Sequence, residues 1–168
     1  MKLYIHDLSE KDFNDVIQRQ KDDIVISETN KLHSCLGCYD CWLKTPTKCA
    51  IKDDYSNLGK VFANCDDIIM ISNCYYGGFS PFVKGIMDRS LSYFLPYLEI
   101  RKGESRHKLR YKKKINTIQV HFYGEDITQE EKKTAKQLVL ANSRQFNIRN
   151  ESCVKFYSSI IEMKGLVL

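Results

Sequence analysis

The chain has 168 residues with 26 Lys and Arg against 21 Asp and Glu, a net charge of +5, and is 43% hydrophobic and 28% charged. That length suits one domain with a real core, and the composition excludes disordered and fibrous classes. Aliphatic runs such as DDIIMIS, Asp66 to Ser72, fall far short of the roughly 20 residues that span a bilayer, so no membrane segment is expected. The opening MKLYIHDLSE meets acid at Asp7 and Glu10 before any apolar stretch of leader length develops, which makes a cytoplasmic location the expectation. In that reducing compartment the seven cysteines, an odd number, would be thiols or metal ligands rather than structural disulfides. The sequon Asn150-Glu151-Ser152 then has no role.

Periodicity predicts short strands alternating with helices. Lys2 to Asp7 reads as a first strand, and Ser9 with Asp12 three residues on forms a capping-box start for a short helix to about Gln20. The β-branched stretch Ile24 to Ser27 reads as a second strand. Residues 28–53 show no clean period and form a cysteine-rich insertion. Asp54 is expected to cap a helix on which Leu58, Val61 and Phe62 share a face. Asp66 to Ser72 is continuously apolar between its ends, as a central strand buried on both faces would be. After the loop NCYYGGF, Ser80 as N-cap and Pro81 as first helical residue open the helix FVKGIMDRSLSYFL. Arg101 to Lys114 holds eight Lys and Arg against one Glu, a basic loop that is either a solvated surface or an anion site for phosphate, RNA or a partner. Ile115 to Tyr123 reads as a fourth strand, Thr128 caps an amphipathic helix with acid in its first turn, and Glu151 to Tyr157 reads as a fifth strand.

Five strands alternating with four helices predict a single α/β domain over residues 1–168: a doubly wound, flavodoxin-like five-stranded parallel sheet, order 2-1-3-4-5, with helices on both faces. Ligands of such a sheet sit beyond the carboxyl ends of the strands at the switch point beside strands one and three. The loops Asp7 to Asp12, Asn73 to Phe79 and His121 to Asp126 therefore make the expected functional edge. The cysteine insertion leaves strand two at the same end and is expected to share the site.

In the loop SNCYYGGFSPFVKGIMDR, Tyr75 and Tyr76 offer faces for a planar ring, while Gly77 and Gly78 allow close backbone approach. The plainer alternative is two core tyrosines and a glycine turn. The pattern of Ser72, Tyr75, Gly77, Ser80, Lys84, Asp88 and Arg89 resembles the loop and following helix of the NAD(P)H-dependent FMN reductases, which are flavodoxin-like oxidoreductases. Upstream, Cys35, Gly37, Cys38, Cys41, Trp42, Cys49, Asp53 and Asp54 are similar to a cysteine-bearing branch of that family, which includes the iron-sulfur flavoproteins. The resemblance covers Met1 to Arg89 by motif and the rest by strand order.

The resemblance implies FMN as cofactor and NAD(P)H as co-substrate. The flavin ring would pack on Asn73, Cys74, Tyr75, Tyr76, Gly77 and Gly78, with His121, Tyr123 and Gly124 near its other edge. It also implies a homo-oligomer, a dimer or higher, with Ser92 to Ile100 covering a neighbouring subunit's flavin, and a small-molecule or protein electron acceptor. No residue stands out as catalytic. The phosphate loop departs from the family: HDLSEKDFND has no glycine and sets Asp7, Glu10 and Asp12 around Ser9. A carboxylate 4 Å from a phosphate charge repels it by roughly 4 kcal/mol at an effective dielectric of about 20. Ser9 still offers a hydroxyl and a helix start, and Lys11 offsets part of the repulsion.

The spacing C-x2-C-x2-C-x7-C of Cys35, Cys38, Cys41 and Cys49 leaves three readings open. It resembles ferredoxin-type spacing and would suit an iron-sulfur cluster. Zinc usually takes two separated pairs. Without metal, Cys38 and Cys41 would be a dithiol or inert thiols. Cys65 and Cys153 read as packing residues, whereas Cys74 has a site-like address. His121 is either a ring-edge residue or a satisfied structural group, and Asp88 and Arg89 are expected on the helix surface or at a subunit contact. Two function classes follow: an FMN-dependent oxidoreductase moving electrons from NAD(P)H, or through a cluster, to an acceptor; or a degenerate electron-transfer or interaction module without flavin. Nucleic acid is not expected, because the basic run carries no stacking aromatic beyond Tyr111.

Overall fold

A computed structural model describes residues 1–28, 31–112, 115–148 and 153–165. Lys113 and Lys114 of the basic run, the sequon and the first two residues expected in the fifth strand lie outside the described residues. The parallel sheet consists of β1 (Lys2–His6), β2 (Ile24–Ile26), β3 (Asp67–Asn73), β6 (Thr117–Tyr123) and β7 (Cys153–Tyr157), in the order β2-β1-β3-β6-β7. These are the five expected strands. What the expected order lacked is an antiparallel pair, β4 (Phe94–Arg101) and β5 (Glu104–Leu109), which forms a separate two-stranded sheet.

Registers such as Leu3↔Ile68↔Ile118 and Ile5↔Met70↔Val120 align the apolar residues of the three central strands. On one face Leu3, Ile5, Ile68, Met70, Ile118, Val120 and Phe122 pack within the core cluster that also holds Phe62, Val83, Ile86 and Val139. Those last residues belong to α3 (Leu58–Asn64), α4 (Pro81–Arg89) and α5 (Gln129–Phe146). The opposite face, with Tyr4, Ile69 and Ile71, is covered by Phe13 and Val16 of α1 (Glu10–Val16) and by Met163 of a 3-10 turn. Burial on both faces explains why β3 carries an uninterrupted apolar run.

The expected caps at Ser9, Ser80 and Thr128 are in place, with Thr128 and Glu131 forming a reciprocal capping box. Three local expectations are corrected. Helix α1 stops at Val16, not near Gln20. The third helix begins after Asn57, whose side chain makes no capping bond, rather than after Asp54, because Asp53 folds residues 53–56 into a turn by accepting from the Tyr55 amide at 3.1 Å. Helix α4 ends at Arg89, and after a 3-10 turn at Ser90–Tyr93 the chain runs extended through Pro96, a residue with no amide hydrogen to give a helix. The basic loop is likewise a hairpin, closed at Lys102 and Gly103 with φ of +50° and +79°, the two positive values a tight hairpin turn needs. Its arginines are engaged structurally: Arg101 donates to the carbonyls of His107 and Gln145, Arg110 to those of Ser92 and Phe94, and Glu104 pairs with Arg106 and with Arg144 of α5. Among the described residues no helix is long and apolar enough to cross a membrane.

Candidate functional site

At the carboxyl edge of the sheet, Asp7 follows β1 and its carboxylate accepts from the Asn73 amide at 2.9 Å and the Tyr123 hydroxyl at 3.0 Å. One side chain thus ties together the ends of β1, β3 and β6. Burial and the negative charge of Asp7 both push the Tyr123 phenol well above its ordinary value, so it remains a donor. The Cys74 amide donates to the Tyr123 carbonyl at 2.9 Å, and the Gly124 amide to the Tyr157 carbonyl at 3.1 Å. Asn73, Cys74, Tyr123 and Gly124 are therefore brought together.

Tyr75 to Gly78 closes as a tight turn, with the two end residues exchanging hydrogen bonds of 3.0 and 2.7 Å. Tyr76 and Gly77 adopt φ of +49° and +77°. A Cβ on Gly77 would stand 2.8 Å from both the Glu131 carbonyl oxygen and Thr134 Cβ, so the turn leans directly on the first turns of α5. The tyrosine rings are exposed, Tyr75 by 51% and Tyr76 by 91%, which makes them a surface wall rather than core. Next to Gly124, an open cavity of about 260 Å³ is lined by Asp126, Ile127, Lys132, Phe156, Tyr157 and Ser158.

His121 sits beneath this edge and is fully buried, with Nδ1 2.9 Å from the Tyr157 hydroxyl. Burial, helped by Lys155, lowers its pKa to about 4. His6, buried and stacked on Phe13 with 4.0 Å between ring centres, is lowered to about 4 by burial as well. Ser9 is occupied locally: its Oγ donates to Asp12 Oδ2 at 2.6 Å and accepts from the Asp12 amide at 3.1 Å. Against FMN the edge divides. The Tyr75–Gly78 wall can take a planar ring. The phosphate end does not fit, because Ser9 is already paired, α1 is only 7 residues long, and the Asp7 carboxylate holds the donors that an anionic ligand would use.

The cysteine segment is built elsewhere. Trp42, in the single-turn helix α2 (Asp40–Leu43), donates its indole N–H to the carbonyls of Leu91 at 3.2 Å and Phe94 at 3.0 Å. Its ring stacks on Tyr39 and tilts against His107 of the hairpin. Asp53 and Arg89 form a two-pronged ion pair with both contacts at 2.7 Å, and Arg89 also donates to the His33 carbonyl at 2.9 Å. Arg89 has a side-chain exposure of 0%, which corrects its expected place on the helix surface; Asp88 does lie on the surface and pairs with Lys84. The hydrogen bonds from Arg89 outweigh burial and hold the Asp53 carboxyl below its ordinary range.

These anchors grip the far end of α4, which rises about 13 Å from Ser80 to Arg89. The cysteine segment is thus tied to the C-terminal end of α4 through Asp53 and Arg89, the tyrosine turn precedes its N-terminal end, and Tyr55, just after the cysteine segment, packs edge-on against Phe82 in the first turn of the same helix. The pairing of Arg89 with Asp53 and the hairpin were not legible in the sequence; the membership of Asp53 and Arg89 in the two resembling motifs was the one available signal.

Cys35 and Cys38 are exposed, while Cys41 and Cys49 are half-buried. Burial pushes the Cys41 thiol up to about 11, with further contributions from Cys49, Cys35 and Cys38, so the other three sulfurs each lie within electrostatic reach of Cys41. Cys65 is buried and donates to the Val61 carbonyl, and Cys153 and Cys74 are half-buried. Among the described residues no three His, Cys, Asp or Glu side chains are set to hold a single metal ion. A tetrahedral zinc with bonds of about 2.3 Å would need its sulfurs about 3.8 Å apart. A polynuclear cluster spreads its thiolates more widely, and Cys41 with three further thiols within electrostatic reach of it, beside a buried guanidinium, is a donor set of the kind that suits one.

No protein-family model matches the chain. An iron-sulfur flavoprotein of Methanocaldococcus jannaschii is similar to it, 42% identical over 60 residues. The matched stretch covers 36% of this chain and 30% of that protein, so the chain spans under a third of the relative's length.

Proposed function

We propose that the chain is an electron-transfer oxidoreductase module of the iron-sulfur flavoprotein kind, with Cys35, Cys38, Cys41 and Cys49 as thiolate ligands of an iron-sulfur cluster. The observation that carries the reading is the gathering of three further cysteine thiols around Cys41 on a peptide pinned by the buried Arg89–Asp53 pair. The partial similarity to an iron-sulfur flavoprotein supports it. When bound, such a cluster supplies one-electron chemistry whose potential depends on hydrogen bonds and burial. The chain's own residues do the remainder. Asp53 and Arg89 hold the ligand peptide against α4, and Trp42 and Tyr39 shield one side of it. Cys41, with its proton held by burial, gives it up only to a bound cation, so loading releases protons and strengthens as pH rises.

Anaerobic reconstitution with ferrous iron and sulfide, followed by iron and sulfide analysis and an absorbance spectrum, tests this. A broad band near 400 nm with about four irons per chain is expected for a cubane held by four cysteines. Wild-type protein that takes up no iron refutes the reading, as do Cys41→Ser and Cys49→Ser variants that retain as much iron as wild type.

A second reading, an FMN-dependent oxidoreductase drawing on NAD(P)H, rests on the exposed Tyr75–Gly78 wall beside Gly124. Because Asp7 opposes the phosphate, this reading requires that the ring alone carry affinity, so riboflavin should bind at least as tightly as FMN. Flavin fluorescence quenched by neither compound leaves an electron-transfer module without flavin.

A further inference from the structure

We propose that Arg89 positions and tunes the cluster ligand Cys49, its otherwise unpartnered Nε–H being the donor held for the Cys49 sulfur. The inference rests on the cluster reading above and adds a residue outside the four-cysteine motif. Arg89 spends its two terminal nitrogens on Asp53, at 2.7 Å each, and on the His33 carbonyl at 2.9 Å. Its Nε, buried on a side chain with 0% exposure, has no hydrogen-bond partner among the described residues. A buried, charged donor left unpaired is costly, and such groups persist where a partner arrives with a ligand.

The geometry says which partner. Asp53 lies four residues after Cys49 on the turn whose base is the Cys49 amide bonded to the Ser56 carbonyl at 2.8 Å, so the two prongs that grip Asp53 also set the guanidinium beside Cys49. Together with Asp53, Cys49 is one of the neighbours that raise the Arg89 guanidinium against its burial, which places the two side chains close together. Asp53 neutralises the guanidinium overall, which lets the pair stay buried, while Nε is left free to donate to sulfur. Reduction of the cluster by one electron places additional negative charge on the ligand sulfurs. An N–H donor and a nearby cation stabilise that reduced form more than the oxidised one, so Arg89 raises the midpoint potential.

The test is the midpoint potential of reconstituted wild-type protein and Arg89→Lys, with iron measured on both. Lysine keeps the charge but lacks the fork and the Nε donor. With iron content matched, the potential of Arg89→Lys should fall by at least a tenfold change in the oxidised-to-reduced ratio, about 59 mV for a one-electron couple. An unchanged potential at full iron overturns the proposal and leaves the cluster reading standing. Wild-type protein without iron overturns the cluster reading and this proposal with it. Should Arg89→Lys fail to fold, wild-type protein labelled with 15N in its arginine side chains decides: pulsed EPR of the reduced cluster should show a weakly coupled arginine nitrogen, and its absence overturns the proposal.

Discussion

Replacing Asp53 by Asn is the sharpest test of how the ligand peptide is held. The substitution keeps shape but removes the charge opposite Arg89, whose side chain is 0% exposed while that of Asp53 is 11% exposed. Breaking a buried pair by neutralising one partner costs about 3–5 kcal/mol, because the other charge stays desolvated and uncompensated. The slight exposure of Asp53 argues for the lower end, about 3 kcal/mol, a sizeable part of the 5–15 kcal/mol typical of a domain. With a urea dependence of about 2 kcal/mol per molar, the midpoint should drop by about 1.5 M, read by the fluorescence of the single tryptophan, Trp42, which lies on the same segment. If the segment opens locally instead, amide exchange at Cys49, whose N–H is bonded to Ser56, should accelerate while the global midpoint moves less. The wild-type pair has a pH signature too. Because the folded Asp53 pKa is depressed, its stabilisation is full above the ordinary carboxylate range and is lost as pH falls through the lowered value; Asp53→Asn should lack that acid limb. A variant with unchanged midpoint and unchanged Cys49 exchange would show that the pair is not what holds the segment.

His6 and His121, both lowered to about 4 by burial, bind protons more readily when unfolded, so stability should be complete above pH 6.5 and decline as pH falls toward 4. The 2.5-unit gap corresponds to roughly 3 kcal/mol per histidine at the acid limit, and imidazole NMR titrations near 6.5 for both would refute it. Gly77→Ala forces a side chain into contact with Glu131 and Thr134 at φ +77° and should cost about 1–3 kcal/mol in thermal or urea unfolding; a neutral result would mean the turn is not pressed against α5. Tyr123→Phe removes the donor to Asp7 and should destabilise by about 1–2 kcal/mol, while a spectrophotometric titration of wild type should show Tyr123 ionising only with alkaline unfolding. Asp7→Ser should improve FMN binding relative to riboflavin, measured by flavin fluorescence; an unchanged ratio would remove Asp7 as the obstacle to phosphate.

Features that depend on neighbours a few residues apart can be read directly from the chain. The uninterrupted run Asp66 to Ser72 announced a strand covered on both faces, and the caps at Ser80 and Thr128 fixed where α4 and α5 begin, because each cap bonds an amide only three residues on. The alternation of such elements was enough for a parallel α/β sheet. The four-cysteine spacing and the exposed tyrosine turn were legible as candidates for the same reason: each is a short local pattern.

How these pieces meet depends on long-range packing. Arg89 finds Asp53 36 residues upstream, and Asp7 reaches Asn73 and Tyr123 across 66 and 116 residues. No periodicity encodes such partners, since they depend on which strands lie side by side. The hairpin was hidden because β4 has no clean two-residue alternation: Tyr97, Leu98 and Ile100 are all exposed, and its register with β5 shifts between Phe94 and Leu98. That hairpin supplies the His107 ring and the Phe94 carbonyl that anchor Trp42. The residue types were thus written in the chain, while the way Asp7 closes the sheet edge and Arg89 anchors the cysteine segment follows from long-range packing.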